Sequence, residues 1–324
     1  MTARVLVPWS SVSDALAGHG GLSGGLTVEV FTGEEPGPDD VSDVVFFTVP
    51  YDRPFSREPI PRLSGVIVIQ MLSAGYDRVA GLLPQGATLC TARGLHDSSA
   101  AEHALGLILA AQRDLPRWVR AQDAGRWEHT HTGSLAGHRV LLLGYGSIGS
   151  ALDRRLRACE ANTVRVARQP RPEEKVFGVA DLDGLLPSTD IVVLTTPLAA
   201  DTRGLLDARR LALLPDGALV VNIGRGPVLD TSAILGETMS GRLRAALDVT
   251  DPEPLPPDHP LWHSPGTIIT PHVAGGDASF YPRATDFLVR QVQRFAAGEP
   301  LHNVVAERPR VILPNAQFRP QGRA

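Results

Sequence analysis

At 324 residues, 43% hydrophobic and 20% charged, the chain outgrows the size that one hydrophobic core usually serves, so two domains in a globular protein are expected. A formal net charge of -4, with no dense basic cluster in the folded region, excludes the electrostatic footprint of a nucleic-acid binder and asks any anionic substrate to find local positive charge. Cys90 and Cys159 show neither metal-ligand spacing nor a disulfide framework, so no metal is expected and a reducing cytoplasm fits.

Taken in chain order, Met1 to Ser10 has one basic residue and a short apolar run, Val5-Leu6-Val7, which is not the plan of a signal peptide. No apolar stretch approaches the roughly 18 residues of a membrane span. Val5 to Val7, Val44 to Phe47 and Val66 to Ile69 read as buried strands between Gly/Pro-rich turns, a small α/β domain with a parallel sheet. Ser99-Ala100-Ala101-Glu102 is a capping-box signature, and the helical run behind it reaches Gly125. Its stretch Ala100 to Ala111 is apolar nearly all round, broken by Glu102 and His103, which predicts burial between domains or subunits and a homodimer through the 99–124 region. Glu102 is explained as a cap, and both it and His103 are left outside the site.

Strands follow at Val140 to Leu143, Val164 to Ala167, Ile191 to Thr195, Leu219 to Val221, Ala245 to Val249 and Thr267 to Thr270, separated by helices or turns as βαβ units demand. A last helix, Ala284 to Ala297, stops at Gly298 and returns the chain to its first domain. The expected organisation is a discontinuous substrate domain, 1–98 with 283–308, an inserted dinucleotide-binding domain, 99–282, and a loose polar tail, 309–324. Both domains are expected to be Rossmann-like or flavodoxin-like α/β units with parallel sheets and the active cleft between them.

Gly144-Tyr145-Gly146-Ser147-Ile148-Gly149 directly follows an apolar strand and opens a helix. In that context the first glycine permits the turn, the second lets backbone approach a pyrophosphate, and the third lets helix and strand pack closely. A reader of the free ribose 2'-hydroxyl needs a carboxylate near the end of the next strand; here stand Ala167, Arg168, Gln169, Pro170 and Arg171. A guanidinium forks onto a phosphate, so NADP(H) is favoured, with NAD(H) still possible.

Three polar residues follow three later strands. Arg225, in Asn222-Ile223-Gly224-Arg225-Gly226, suits a carboxylate. Glu253 lies between Pro252 and Pro254, and His272 follows Pro271, in stiff segments that hold side chains still. A carboxylate partner would fix an imidazole's tautomer and ready it for proton transfer, but read singly Arg225 is better explained as a surface arginine, Glu253 as a solvated loop acid and His272 as a structural histidine. Tyr51 is as well explained as a plain loop aromatic as by a substrate pocket, and Trp262 and His263 fit packing near the cleft or against a second subunit equally.

Together these pieces resemble the D-2-hydroxyacid dehydrogenase family over roughly Val44 to Val304, and most closely its NADP-using glyoxylate/hydroxypyruvate reductases. The resemblance rests on Gln70 to Asp77, Ala101-Glu102-His103, the glycine loop, Arg168 to Glu174, Thr195-Thr196-Pro197-Leu198, Val221 to Gly226, Asp248-Val249, Pro252 to Leu255 and Pro271-His272. It implies a reversible hydride transfer between NAD(P)H and a small 2-oxoacid. Arg225 would bind that acid, His272 move the proton and Glu253 orient His272. It further implies that amides of Ser73, Ala74 and Gly75 clasp the substrate carboxylate. Ser147 and Ile148 would lie on the pyrophosphate, Thr196, Pro197, Thr202 and Ile223 along the cofactor, Arg168 at a 2'-phosphate and Asp248 at the nicotinamide amide. The chain departs from the family at Glu160, where a glycine often precedes the second strand. Three alternatives stand beside this reading: formate oxidation, which Glu253 opposes because that relative uses glutamine; phosphoglycerate oxidation; and a cofactor-sensing corepressor on the same fold.

Overall fold

The computed structural model describes residues 2–33, 40–51 and 59–307. The expected tail at 309–324 lies outside the described residues, as do Asp52 and Arg53 next to Tyr51. The chain forms two compact units, one running to His96 and resuming at Ala278, the other spanning Asp97–Asp277.

The first unit opens with β1 (Arg4–Val7), α1 (Ser10–Gly18), β2 (Thr27–Val30), β3 (Val44–Thr48), the short α2 (Pro59–Arg62), β4 (Val68–Gln70) and β5 (Thr88–Cys90). The second contains α3 (Asp97–Gln112), α4 (Leu115–Asp123), β6 (Arg139–Leu143), α5 (Ser147–Ala158), β7 (Asn162–Ala167) and β8 (Val176–Gly178). It continues through α6 (Leu182–Leu185), β9 (Ile191–Leu194), α7 (Ala208–Leu211), β10 (Leu219–Asn222), α8 (Thr231–Met239), β11 (Arg244–Leu247) and β12 (Thr267–Ile269). The chain then returns to the first unit with α9 (Phe280–Ala297), closed by left-handed Gly298, and β13 (Val304–Glu307).

The first sheet has the order β13-β5-β4-β3-β1-β2, parallel except for β13. The second is wholly parallel, β12-β11-β10-β9-β6-β7-β8, with the strand order reversing between β6 and β9. Each is covered on both faces. Leu141, Leu143, Val192, Leu194 and Val220 pack to one side of the second sheet, while Val140, Leu142, Ile191, Val193, Leu219 and Val221 pack to the other. Double burial is why these strands read as continuous apolar runs rather than alternating ones, and why the fold class was readable.

Two expectations need correction. The helix expected from Ser99 to Gly125 begins at Asp97 and is broken: Asp114 adopts a left-handed φ of 53°, and α4 restarts behind it with Pro116 in its first turn. Pro116 has no N–H to continue the ladder, and its ring clashes with the preceding turn. Ser99 therefore sits inside α3, with its hydroxyl directed to the Gly275 carbonyl at 3.4 Å, rather than capping it. Nor does the apolar character of α3 call for another domain or subunit. Ala100, Ala101, Ala104, Leu107 and Ile108 are buried within their own unit, in one core with Ala151, Leu152 and Leu156 of α5 and with Leu219 and Val221 of β10.

Candidate active site

In the second sheet the last residues of five neighbouring strands, Leu143, Leu194, Asn222, Leu247 and Ile269, lie in register across one row. Every catalytic candidate of this unit follows one of them, at the carboxyl edge where open α/β sheets bind ligands.

The glycine loop follows Leu143. Gly144 has φ 112°, and a Cβ there would meet Thr195 Oγ1 at 2.8 Å and Thr196 N at 2.9 Å, so only glycine fits. A Cβ on Gly149 would meet the Gly144 carbonyl oxygen at 2.5 Å, whereas one on Gly146 would meet nothing within 4 Å. The outer glycines are thus required by packing, and the middle one faces open space at the N-terminus of α5. A bare backbone there, under the positive end of a helix, fits the pyrophosphate of a dinucleotide. Thr195 and Thr196 brace the loop, their hydroxyls donating to the carbonyls of Gly144 (2.6 Å) and Leu143 (2.7 Å). Thr202 Oγ1 spans Pro197 O and Ala199 N, both at 2.7 Å, and shapes the loop after β9. Ser147 Oγ donates to Asp97 at 2.9 Å, while Ile148 and Ile223 pack against the α3 and α5 core.

Beyond β7, the small Ala167 stands where a reader of the free ribose 2'-hydroxyl would carry a carboxylate, and Arg168 lies exposed in an ion pair with Asp201 at 3.1 Å. Arg171 donates to the Tyr145 carbonyl at 3.0 Å and stands over its ring, which Arg165 covers as well. Burial, then a 2.9 Å hydrogen bond to Asp153, raises the Tyr145 hydroxyl pKa. Glu160, the departure from the family pattern, has a left-handed φ of 61°, which is the physical reason a glycine suits that place.

After β10, the buried Asn222 side chain accepts from Gly224 N at 3.1 Å and donates to Arg225 O at 3.0 Å, shaping the turn that carries Arg225. A Cβ on Gly226 would collide with the Thr250 carbonyl, so the Arg225 and Thr250 loops pack without a gap. The half-buried Arg225 guanidinium donates to its neighbour's carbonyl, Gly224 O, at 2.8 Å. Beyond β11 and β12, His272 Nδ1 and Glu253 Oε1 lie 2.7 Å apart, with side-chain exposures of 40% and 26%. A carboxylate accepts only, so Nδ1 carries the proton in this contact and Nε2 is the ring atom left to exchange one. The bonds Asp251-Pro252 and Glu253-Pro254 are cis.

His272 has a left-handed φ of 56°, a conformation costing a non-glycine residue about 1–2 kcal/mol. What holds it is Asp248. The Asp248 carbonyl accepts from His272 N at 2.8 Å, and its fully buried carboxylate accepts from Val273 N at 2.9 Å, Ala274 N at 3.0 Å and Thr270 Oγ1 at 2.6 Å. The carboxylate expected beside a nicotinamide amide is thus engaged with the His272 loop. His103, left out of the site above, stands in this cluster, 3.0 Å from Thr270 Oγ1 and 3.3 Å from Asp248 Oδ1. The signal in the sequence was a polar residue interrupting the apolar face made by Ala100, Ala104 and Leu107.

In the first unit, Ser73, Ala74 and Gly75 form a half-buried turn after β4, held by Ser73 Oγ to Gly75 O at 2.6 Å and by Ala92 N to Ser73 O at 3.0 Å. Tyr51 stacks on His96 and Phe280, with ring centroids 5.3 and 4.7 Å away, so packing accounts for it. Trp262 donates to Pro256 O at 2.8 Å and is 44% exposed.

A family described as "D-isomer specific 2-hydroxyacid dehydrogenase, NAD binding domain" matches residues 105–274. A glyoxylate reductase/hydroxypyruvate reductase of Mus musculus is 32% identical over 230 residues, covering 67% of this chain and 70% of that one. A D-3-phosphoglycerate dehydrogenase of Archaeoglobus fulgidus is 29% identical over 87% of this chain, which spans only 55% of that protein. Among solved structures, a D-isomer specific 2-hydroxyacid dehydrogenase of Xanthobacter autotrophicus Py2 in complex with NADPH and MES is 31% identical, with a TM-score of 0.79 covering 94% of this chain and 98% of that one.

Proposed function

The chain belongs to the D-isomer specific 2-hydroxyacid dehydrogenase family, and we propose that it reduces a small 2-oxoacid, glyoxylate or hydroxypyruvate foremost, with NADPH favoured over NADH. The observation that carries this reading is the His272–Glu253 pair at 2.7 Å, following β12 and β11, the next two strands beyond β10, which bears Arg225. The cofactor assignment is supported by Ala167 and Arg168 and by the NADPH in the Xanthobacter relative. The substrate class is supported by the mouse relative's activity.

Gly144, Gly146, Ser147, Ile148 and Gly149 would cradle the dinucleotide, with Thr196, Pro197, Thr202 and Ile223 along it, Asp248 beneath and Arg168 turned to the 2'-phosphate. When bound, the nicotinamide supplies or accepts the hydride at the substrate's C2. Arg225 holds the 2-oxoacid carboxylate and polarises its carbonyl through a bidentate fork. Nε2 of His272 gives the carbonyl oxygen a proton and recovers it in the reverse direction, while Glu253 keeps the proton on Nδ1 and offsets the charge that the ring acquires. Ser73, Ala74 and Gly75 supply backbone donors for an anion.

A cytoplasmic homodimer completes the reading. Both described cysteines are free, Leu115 and Val119 are exposed at 48% and 57% on α4 and Trp127 at 98% beyond it, and Leu115 lines a groove of about 560 Å³ with Leu109, Arg113, Trp118 and His129. Loss of NADPH absorbance on adding glyoxylate or hydroxypyruvate tests the activity; tight NADPH binding with no turnover across a 2-oxoacid panel would instead favour a sensor. His272→Ala is expected to abolish turnover and leave NADPH binding nearly intact, and turnover near wild type would refute the assignment.

A further inference from the structure

We propose that His103 is a positioning residue for His272, acting through Thr270 and Asp248; the inference rests on the acid/base reading of His272.

The hydrogen-bond roles follow from counting protons. Thr270 has one hydroxyl proton, and the 2.6 Å contact between its Oγ1 and Asp248 Oδ1 takes it, because an ionised carboxylate only accepts. Toward His103 Nε2, at 3.0 Å, the same oxygen must then accept, so Nε2 carries a proton and donates. The direction is set: His103 Nε2–H to Thr270 Oγ1–H to Asp248 Oδ1, with Nε2–H also 3.3 Å from the carboxylate itself.

The far side of that carboxylate is the backbone just after His272. Oδ1 takes the Val273 amide and Oδ2 the Ala274 amide, while the Asp248 carbonyl takes the His272 amide. Asp248 is buried with 0% side-chain exposure, so no solvent shares these contacts, and each donor it loses weakens its hold on the rest. The left-handed backbone of His272 is held by this clamp, with the Thr270 carbonyl, which also accepts from His272 N at 3.1 Å, and the side-chain contact with Glu253 as its other anchors. His103, anchored in the rigid α3, is the side chain that orients Thr270 toward Asp248 from behind. Its own ring is 25% exposed and makes no contact with Glu253 or Arg225 among its hydrogen bonds and ion pairs, so an effect on chemistry has to travel through the clamp.

The test uses the full chain carrying His103→Leu, which removes the donor, and His103→Gln, whose amide N–H restores one. Thr270→Val cuts the relay in the middle. Each is read by kcat and KM for glyoxylate with NADPH, by NADPH affinity from fluorescence, and by hydrogen exchange of peptides covering 268–276 against peptides from α5. For His103→Leu we expect kcat to fall about ten-fold, NADPH affinity to hold within about two-fold, and exchange to quicken about ten-fold at Val273 and Ala274 only, as loss of one hydrogen bond from a buried network predicts. His103→Gln should recover most of kcat, and adding His103→Leu to Thr270→Val should cost little more than Thr270→Val alone, because the relay is then already cut beyond His103. Unchanged kcat and exchange in His103→Leu would overturn the proposal, as would a uniform rise in exchange across α5 and the loop, which marks a merely structural residue. If the wild type turns over no 2-oxoacid, the functional reading fails, and the exchange pattern alone still decides whether His103 holds the loop.

Discussion

Glu253→Gln tests the pair at the centre of the site. The wild-type contact is a 2.7 Å hydrogen bond between His272 Nδ1 and a carboxylate oxygen, with both side chains partly exposed. Glutamine keeps the volume and an accepting oxygen but removes the charge that favours a protonated ring. A hydrogen bond to a charged group contributes about 1.5–3 kcal/mol and one between neutral groups about 0.5–1.5, so the variant should lose about 1–2 kcal/mol, discounted for the water that reaches both partners. Applied to the proton-transfer step, that is about a five- to thirty-fold fall in kcat. The assay is NADPH absorbance at saturating cofactor and 2-oxoacid. Because Glu253 acts on the ring and not on the substrate, KM should change little, which separates lost transition-state stabilisation from lost binding. A kcat within two-fold of wild type, or a raised KM at constant kcat, would refute the role.

Glu160→Gly is expected to stabilise the second unit by about 0.5–1 kcal/mol, since relief of a left-handed residue outweighs the backbone entropy of glycine; an unaltered or lower urea midpoint would count against it. Arg168→Ala should lower kcat/KM about ten-fold with NADPH and leave NADH unaffected, the loss of one charge-assisted contact to the 2'-phosphate; an equal fall with both cofactors would assign Arg168 to structure. Asp183, held down to about 2 by Arg209 and then Arg210, contributes stability that is complete above its ordinary value of 3.8 and lost as pH falls toward 2. Asp183→Asn should therefore have a lower urea midpoint than wild type at pH 7, and the gap should narrow at pH 3; a gap independent of pH would exclude the ion pairs as its source.

Local residue types were enough for the parts of this protein whose physics is local. Runs such as Val140 to Leu143 and Ile191 to Leu194 announce strands buried on both faces, and Gly298 announces the end of α9. Arg225, Glu253 and His272 stand out in the sequence because each follows such a strand, their proposed roles come from the family resemblance, and the register of the parallel sheet carries their order into space. Where a signal was averaged over a long pattern it misled: helical periodicity runs through Asp114, but the backbone there is left-handed and the helix breaks.

Sequence by itself determined the α/β class, the glycine loop and the order of the polar residues, because burial, turn geometry and strand endings act between near neighbours. Only the tertiary structure decided what each polar group touches. Arg168 forms an ion pair with Asp201, 33 positions away. His103 meets Thr270 across 167 positions of sequence. Hydrogen bonds extend about 3 Å whatever the separation along the chain, so these partners existed only once α3 and β12 had been packed into one unit.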